Sequence, residues 1–184
     1  MKALFYKYKL VIRFVVLFLG TYLILTVLYA LYLLFWKGGL YPPDYITHIV
    51  AKQSSTLINS FGYDANIVPH EARPTMKLFV EGHYLAQIIE GCNAISIIIL
   101  FVAFVVAFAQ SFKKTLFFIL AGAVIIYALN ILRISILAIA LYRYPEYEHA
   151  LHGVVFPGII YGIVFLLWMV WVRIVSKGKE GVNV

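Results

Sequence analysis

The sequence has little charge, since only 12% of its 184 residues are Asp, Glu, Lys or Arg and 64% are hydrophobic. A soluble domain carries about 25% charged residues, because polar side chains must cover its surface. A disordered chain is excluded as well, because such chains are poor in the aromatic residues that make up 17% of this one. The composition therefore predicts a protein whose solvent is largely lipid.

Cysteine is almost absent from the sequence, which contains only Cys92. A single cysteine excludes an intrachain disulfide, so cysteine usage does not indicate a redox compartment. The 15 basic residues outnumber the 8 acidic ones. They form no Arg-rich stripe, however, and lie mostly beside apolar runs. This distribution argues against a nucleic-acid partner and indicates membrane topology signals.

Four apolar runs are about as long as the roughly 20 residues with which a helix crosses the hydrocarbon core. They are residues 14–36, 92–109, 115–141 and 153–172. The first has a basic start like a signal peptide, but at 23 residues it exceeds a signal h-region, so we interpret it as a retained anchor. We predict an all-α integral membrane protein with four transmembrane helices, forming a single membrane domain over 1–184.

Positive charges orient these spans, because short cytoplasmic loops retain Lys and Arg. With the N-terminus inside, nine basic residues are cytoplasmic: Lys2, Lys7, Lys9, Arg13, Lys113, Lys114, Arg173, Lys177 and Lys179. Seven of the eight acidic residues fall on the outer side or at its edge, leaving only Glu180 inside. We therefore predict that both termini are cytoplasmic and that residues 37–91 and 142–152 face outward.

The outer segment 37–91 is too long to be a passive connection. Within it, apolar residues at three- and four-residue steps over 44–61 predict an amphipathic helix lying on the membrane surface. Prolines and short apolar stretches on either side of Glu81-Gly82 predict a small β-hairpin between residues 66 and 90. The second span is thus expected to follow an interfacial helix and a hairpin.

Strongly polar residues within membrane spans are costly, so each needs a structural or functional reason. Cys92 stands between Glu90 and Asn93, where the outer segment meets the second span. A helix N-terminus favours the thiolate, which is the nucleophilic form of cysteine. The alternative is a small buried residue that only packs.

Asn130 and Arg133 are three residues apart and share one face of the third span. A charge within a span costs roughly 2.5–3.5 kcal/mol on the insertion scale unless it snorkels or finds a partner. Arg133 therefore either snorkels, pairs with Glu90 as a structural contact, or places its own positive charge at the outer mouth of the bundle. In that last position it would suit an anionic ligand or a developing oxyanion.

His149 and His152 lie in the short outer loop before the fourth span. They are either interfacial side chains wetted by solvent or a source of acid/base chemistry. Together with Cys92 and Glu90 they could supply four metal ligands, but the spacing matches no zinc pattern. We therefore expect no metal.

Cysteine, arginine and histidine are the nucleophile, oxyanion stabiliser and acid/base that thiol acyl transfer needs, and the topology places all three at the outer leaflet. The Glu90-x-Cys92 and Asn130-x-x-Arg133 motifs, with a histidine heading the last span, resemble the exosortase/archaeosortase family of membrane-embedded protein-sorting enzymes. The stretches GCNAISI and HGVVFPGIIYGIVFLLW are most similar to the compact F-type exosortase-like proteins of Bacteroidetes.

The resemblance implies a cysteine protease or transpeptidase of the bacterial cytoplasmic (inner) membrane with an outward-facing active site and no cofactor. Its catalytic residues would be Cys92, Arg133 and His152, with His149 as the alternative histidine. The substrates would be secreted proteins with a C-terminal signal made of a short motif, a transmembrane helix and a basic tail.

Three further residues, Glu90, Asn93 and Asn130, would support this site. The family's usual Cys-Ser/Thr-Gly reads Cys92-Asn93-Ala94 here, so alanine stands where the family pattern has glycine and the local backbone geometry at Ala94 is expected to be affected. A non-enzymatic membrane scaffold or assembly factor, whose polar residues only hold four helices together, is the alternative to an enzyme.

Overall fold

A computed structural model describes residues 8–36, 43–71, 73–109 and 111–180, without the side chains of 148, 152, 156 and 177–180. Its longer α-helices are α1 (Lys9–Trp36), α2 (Tyr45–Ser60), α3 (Ile95–Ala107), α4 (Phe112–Arg143) and α5 (Phe156–Glu180). One antiparallel sheet has the order β1 (Ala65–Pro69), β2 (Met76–Val80) and β3 (His83–Ile88). Between α4 and α5 the chain forms short helical turns at Pro145–Tyr147, Glu148–Ala150 and Leu151–Val155.

Three helices are long and apolar enough to cross a membrane: Lys9–Trp36, Phe112–Arg143 and Gly153–Ser176. They correspond to the first, third and fourth predicted spans, and the protein is a multi-pass membrane protein. The second predicted span, residues 92–109, forms only the 13-residue helix α3. At 1.5 Å per residue such a helix is about 20 Å long, which is less than the roughly 30 Å of a hydrocarbon core. The structure thus has one short apolar helix where a fourth full span was predicted.

The amphipathic helix predicted over 44–61 is confirmed as α2. Asp44 caps its N-terminus, because one carboxylate oxygen accepts the backbone N–H groups of Ile46 at 3.0 Å and Thr47 at 3.1 Å. The buried face of α2 carries small and polar residues as well as aliphatic ones, and it packs against the sheet and α4. Its position at the membrane interface stays a prediction.

The predicted hairpin is confirmed as β2 and β3, which are joined at Glu81-Gly82. Both turn residues have positive φ, 51° and 74°, which matches the twist of a tight two-residue hairpin. Strand β1, which pairs with β2 from Ala65↔Val80 to Pro69↔Met76, was not predicted. Its five residues ANIVP include Asn and Pro, which are depleted in strands, so the sequence carried only a weak signal for it.

Two apolar cores lie one above the other along α4. The sheet-side core consists of Val50, Ala51, Ile58, Ala65, Met76, Leu78, Val80, Ile88, Ile134 and Ala138. The bundle core, formed by α3, α4 and α5, consists of Ala94, Phe101, Val105, Ile126, Val164 and Trp171. Because α4 contributes to both cores, it fixes the sheet relative to the membrane helices.

Helices α3 and α4 approach most closely where the ring of Phe101 lies over Gly122. Phe101 is fully buried, and a Cβ added at Gly122 would overlap its ring. The same ring contacts Phe118, which stacks on Trp171 with 4.8 Å between ring centroids. Residue 122 therefore has to be glycine, because the Phe101 ring occupies the space that any side chain there would need.

We predict that Gly122→Ala destabilises the protein by about 1–3 kcal/mol, because the added methyl group overpacks a buried aromatic contact. Thermal unfolding of the purified protein in detergent measures this change as a lower melting temperature. Gly162→Ala on α5 is the matched control, because no atom lies within 4 Å of the new Cβ. Equal melting temperatures for the two variants would contradict the proposed packing.

Candidate active site

Cys92 ends a 3-10 turn, Glu90–Cys92, that connects β3 to α3. Its backbone N–H donates to the carbonyl of Ile89 at 2.8 Å, and its half-buried side chain packs against the sheet-side core. Helix α3 begins only at Ile95. The thiol therefore precedes the helix in a turn of its own, whereas the predicted span began at residue 92.

Ala94 makes the transition from this turn to α3 with a left-handed backbone, at φ 65° and ψ 0°. A left-handed conformation costs an L-residue roughly 1–2 kcal/mol, which glycine avoids. Ala94 is buried, and its methyl group is part of the bundle core. Residue 94 of this chain thus combines a strained backbone with a buried methyl group, at the position where the sequence pattern that it resembles has glycine.

Asn93 ties three elements together behind the cysteine. Its buried amide nitrogen donates to the hydroxyl of Tyr29 on α1 at 2.7 Å and to Thr47 Oγ1 on α2 at 2.9 Å. Its oxygen accepts the N–H of Ile95, the first residue of α3, at 3.0 Å. With both ends of the amide bonded, Asn93 fixes the turn relative to α1, α2 and α3.

Asn130 holds the same turn from the other side. Its side-chain nitrogen donates to the backbone carbonyl of Cys92 at 2.7 Å, and the residue is 1% exposed. Its amide oxygen is buried and has no hydrogen-bond partner among the described residues. Asn130 therefore positions the cysteine against α4 and leaves one polar atom unused.

Arg133 lies one helical turn beyond Asn130 and is partly buried. Its Nε is buried and, within the part of the chain that the structure describes, donates to no hydrogen-bond acceptor. One of the alternatives raised for Arg133, an ion pair with Glu90, is not formed, since neither of these two described side chains has an ion-pair partner. Arg133 is thus a cation with unused hydrogen-bonding capacity.

Cys92 and Arg133 line the same cavity, which has a volume of about 40 Å³. A space of this size holds a few water molecules, since one requires about 10–15 Å³. The cavity lies between the sheet and α4, and its other lining residues are Leu78, Ala86, Gln87, Ile88, Ile134, Leu137, Ala138 and Leu141. The structure therefore brings the predicted thiol and cation together at one largely apolar site.

The histidine-bearing segment borders this cavity. Leu151, which stands between the two histidines, packs against Leu137 and Leu141 of the cavity wall. His149 is exposed and does not line the cavity; a Cβ at Gly153 would lie 3.7 Å from its Nδ1. The side chain of His152 lies outside the described residues.

Gln87 of β3 is a cavity-lining residue that the sequence did not reveal. Its amide places a neutral hydrogen-bond donor and acceptor in the same wall as Arg133. The only signal in the sequence was a polar residue between the apolar Ala86 and Ile88. Among the described residues, no three His, Cys, Asp or Glu side chains form a group that could hold a metal ion.

The model of the transmembrane exosortase family matches residues 7–172. The chain belongs to this family. The matched range includes the thiol turn, Asn130 and Arg133 of α4, and the two histidines. No curated protein and no solved structure matches the chain. Family membership therefore comes from the family model, and the geometry of the site comes from this structure.

The strained backbone at Ala94 gives a test of the thiol turn. We predict that Ala94→Gly changes stability by about 1 kcal/mol or less, because the relief of strain is offset by the loss of a buried methyl group. Ala94→Val should destabilise by more than about 2 kcal/mol, because a β-branched residue is a genuine outlier at positive φ.

Thermal unfolding in detergent compares the two substitutions. Ala128→Val is the control for placing valine in a helix of this protein, because Ala128 is exposed on α4. Equal unfolding temperatures for Ala94→Val and Ala94→Gly would contradict a left-handed backbone conformation at residue 94.

Proposed function

We propose that this exosortase-family protein is a cysteine-dependent protease or transpeptidase that processes the C-terminal sorting signals of secreted proteins. The main support is a cavity that both Cys92 and Arg133 line. We assign it to the compact F-type branch on the stretches GCNAISI and HGVVFPGIIYGIVFLLW. The catalytic residues in this proposal are Cys92, Arg133 and His152, with His149 as the alternative.

The first step uses the thiol and the cation. The Cys92 thiolate attacks the scissile carbonyl carbon, a C–S bond forms, and the carbonyl π electrons move to the oxygen. Arg133 stabilises the resulting oxyanion by charge and hydrogen bonding, which is most effective where apolar walls exclude water. Two observations support this role: Arg133 lines the cavity, and its Nε has no hydrogen-bond partner among the described residues.

The second step uses the histidine. The oxyanion re-forms the carbonyl, the C–N bond breaks, and His152 gives a proton to the leaving amine. The acyl group now forms a thioester with Cys92. Water, an amine or a hydroxyl then attacks the thioester while the histidine takes the nucleophile's proton, the C–S bond breaks, and the Cys92 thiolate is released. Water gives hydrolysis, whereas the other acceptors give transfer.

We further propose that the site faces outward from the cytoplasmic membrane. Arg13 near the start of α1, Phe108 at the end of α3 and Val175 near the end of α5 line one common cavity, at the opposite end of the bundle from the sheet. Lys113 and Lys114 stand at the start of α4, in the connection that follows α3. This clustering of basic residues supports a cytoplasmic location for that end and an outer location for the sheet.

We predict that Cys92→Ala leaves secreted precursors uncleaved and anchored in the membrane, because the nucleophile is lost. Arg133→Gln should lower the processing rate by about 10²-fold or more through loss of oxyanion stabilisation. Immunoblots of membrane and secreted fractions, with a reporter that ends in a sorting signal from the same organism, measure both effects.

Ser96→Ala is the matched control for these variants, because Ser96 is exposed on α3 and lies outside the cavity lining. It should process the reporter normally. Normal processing by Cys92→Ala, together with unfolding of Arg133→Gln, would instead support a non-enzymatic scaffold whose polar residues only hold the helices together.

We predict that His152→Ala abolishes processing while His149→Ala retains most of it. His152 heads the final apolar stretch next to Leu151, which packs on the cavity wall, whereas His149 is exposed. Reporter processing by the two variants, measured side by side at the same pH and expression level, distinguishes them, because loss of the acid/base stops release of the leaving amine. The opposite order of activities would make His149 the acid/base.

A further inference from the structure

Most of the wall around Cys92 and Arg133 is aliphatic. Of the ten residues that line the cavity, seven have side chains of carbon and hydrogen only: Leu78, Ala86, Ile88, Ile134, Leu137, Ala138 and Leu141. A thiol, a cation and an acid/base suffice for acyl transfer. Four of these seven residues also belong to the sheet-side core, so the chamber is a gap that this core leaves unfilled beside the reactive groups.

The aliphatic wall extends away from the polar groups along one face of α4. Arg133, Leu137 and Leu141 are spaced at steps of four, so they lie on one face of α4 and contribute to the same wall. Leu78 of β2 and Ala86 of β3 line the cavity from the sheet. The chamber thus runs from the reactive groups towards the end of α4.

The volume limits what the chamber can hold. About 40 Å³ corresponds to roughly three water-sized groups, since each needs about 10–15 Å³. Side chains such as those of alanine, valine or proline match this space, whereas an aromatic ring exceeds it. A charged side chain would lose its hydration in the aliphatic part without gaining a partner.

We infer that this chamber is a specificity subsite, which takes one small aliphatic side chain next to the substrate bond that Cys92 attacks. This inference rests on the proposed function, because it assumes that a peptide carbonyl reaches Cys92 and Arg133. The apolar side chain would anchor the peptide, and the thiol and the cation would meet the adjacent carbonyl. The two alanines, Ala86 and Ala138, keep the chamber open.

The single cysteine allows a direct test, because every thiol adduct on the purified full-length protein must be on Cys92. The probes are methyl, propyl and benzyl methanethiolsulfonate, and intact-mass spectrometry in detergent gives the labelling rates. Methyl and propyl reagents should react within about threefold of each other, and the benzyl reagent at least about tenfold more slowly, which corresponds to about 1.4 kcal/mol.

Two substitutions should change the size preference in opposite directions. Ala138→Leu fills the chamber and should slow the propyl reagent by about tenfold relative to methyl, whereas Leu141→Ala should speed the benzyl reagent by a similar factor. Ala128→Leu is the matched control, because Ala128 is exposed on the same helix and does not line the cavity. Unfolding would expose Cys92 to all three reagents alike, so it cannot produce this opposite pattern.

Equal rates for methyl and benzyl reagents in the unmodified protein would overturn the inference. So would an unchanged propyl rate in a folded Ala138→Leu protein or an unchanged benzyl rate in Leu141→Ala. The labelling does not depend on catalysis. If the size pattern holds while Cys92→Ala still processes precursors, the small-side-chain chamber stands and the proposed protease function fails.

Discussion

The hydrogen bond of 2.7 Å from the side chain of Asn130 to the carbonyl of Cys92 determines where the thiol lies. It fixes the 3-10 turn to α4, the helix that contributes to both apolar cores. Arg133 follows one turn later on the same helix, so the geometry of α4 places the cation in the wall of the cavity that Cys92 also lines. The shared cavity therefore follows from one buried hydrogen bond and one helical turn.

Asn93 and Ala94 show how the chain accommodates a departure from the usual family pattern. The Asn93 amide bonds to α1, α2 and the first residue of α3, which a serine or threonine hydroxyl with its single proton could not do to the same extent. These bonds hold the turn in place while Ala94 adopts a left-handed backbone. Three hydrogen bonds and a buried methyl group offset the strain at one residue.

Much of this architecture could be predicted because it depends on local pattern and on apolar length. Three of the predicted spans, residues 14–36, 115–141 and 153–172, fall within helices long enough to cross a membrane. The apolar periodicity of 44–61 was sufficient to predict α2, and the Glu81-Gly82 turn was sufficient to predict the hairpin of β2 and β3. The shortness of α3 was not predictable from hydropathy, because residues 92–94 form a turn whose shape depends on contacts with Tyr29, Thr47 and Asn130. Gln87 and β1 were missed because their positions depend on pairing between distant segments.

Direct detection of an acyl group on Cys92 tests the central role of the thiol most closely. The protein would be expressed with a precursor that carries a sorting signal, quenched in acid and measured by intact-mass spectrometry before and after neutral hydroxylamine, which cleaves thioesters. We predict a mass increase that maps to Cys92, disappears with hydroxylamine and is lost in Arg133→Gln. Continued processing of the precursor with no hydroxylamine-sensitive adduct on Cys92 would contradict thiol catalysis by this protein.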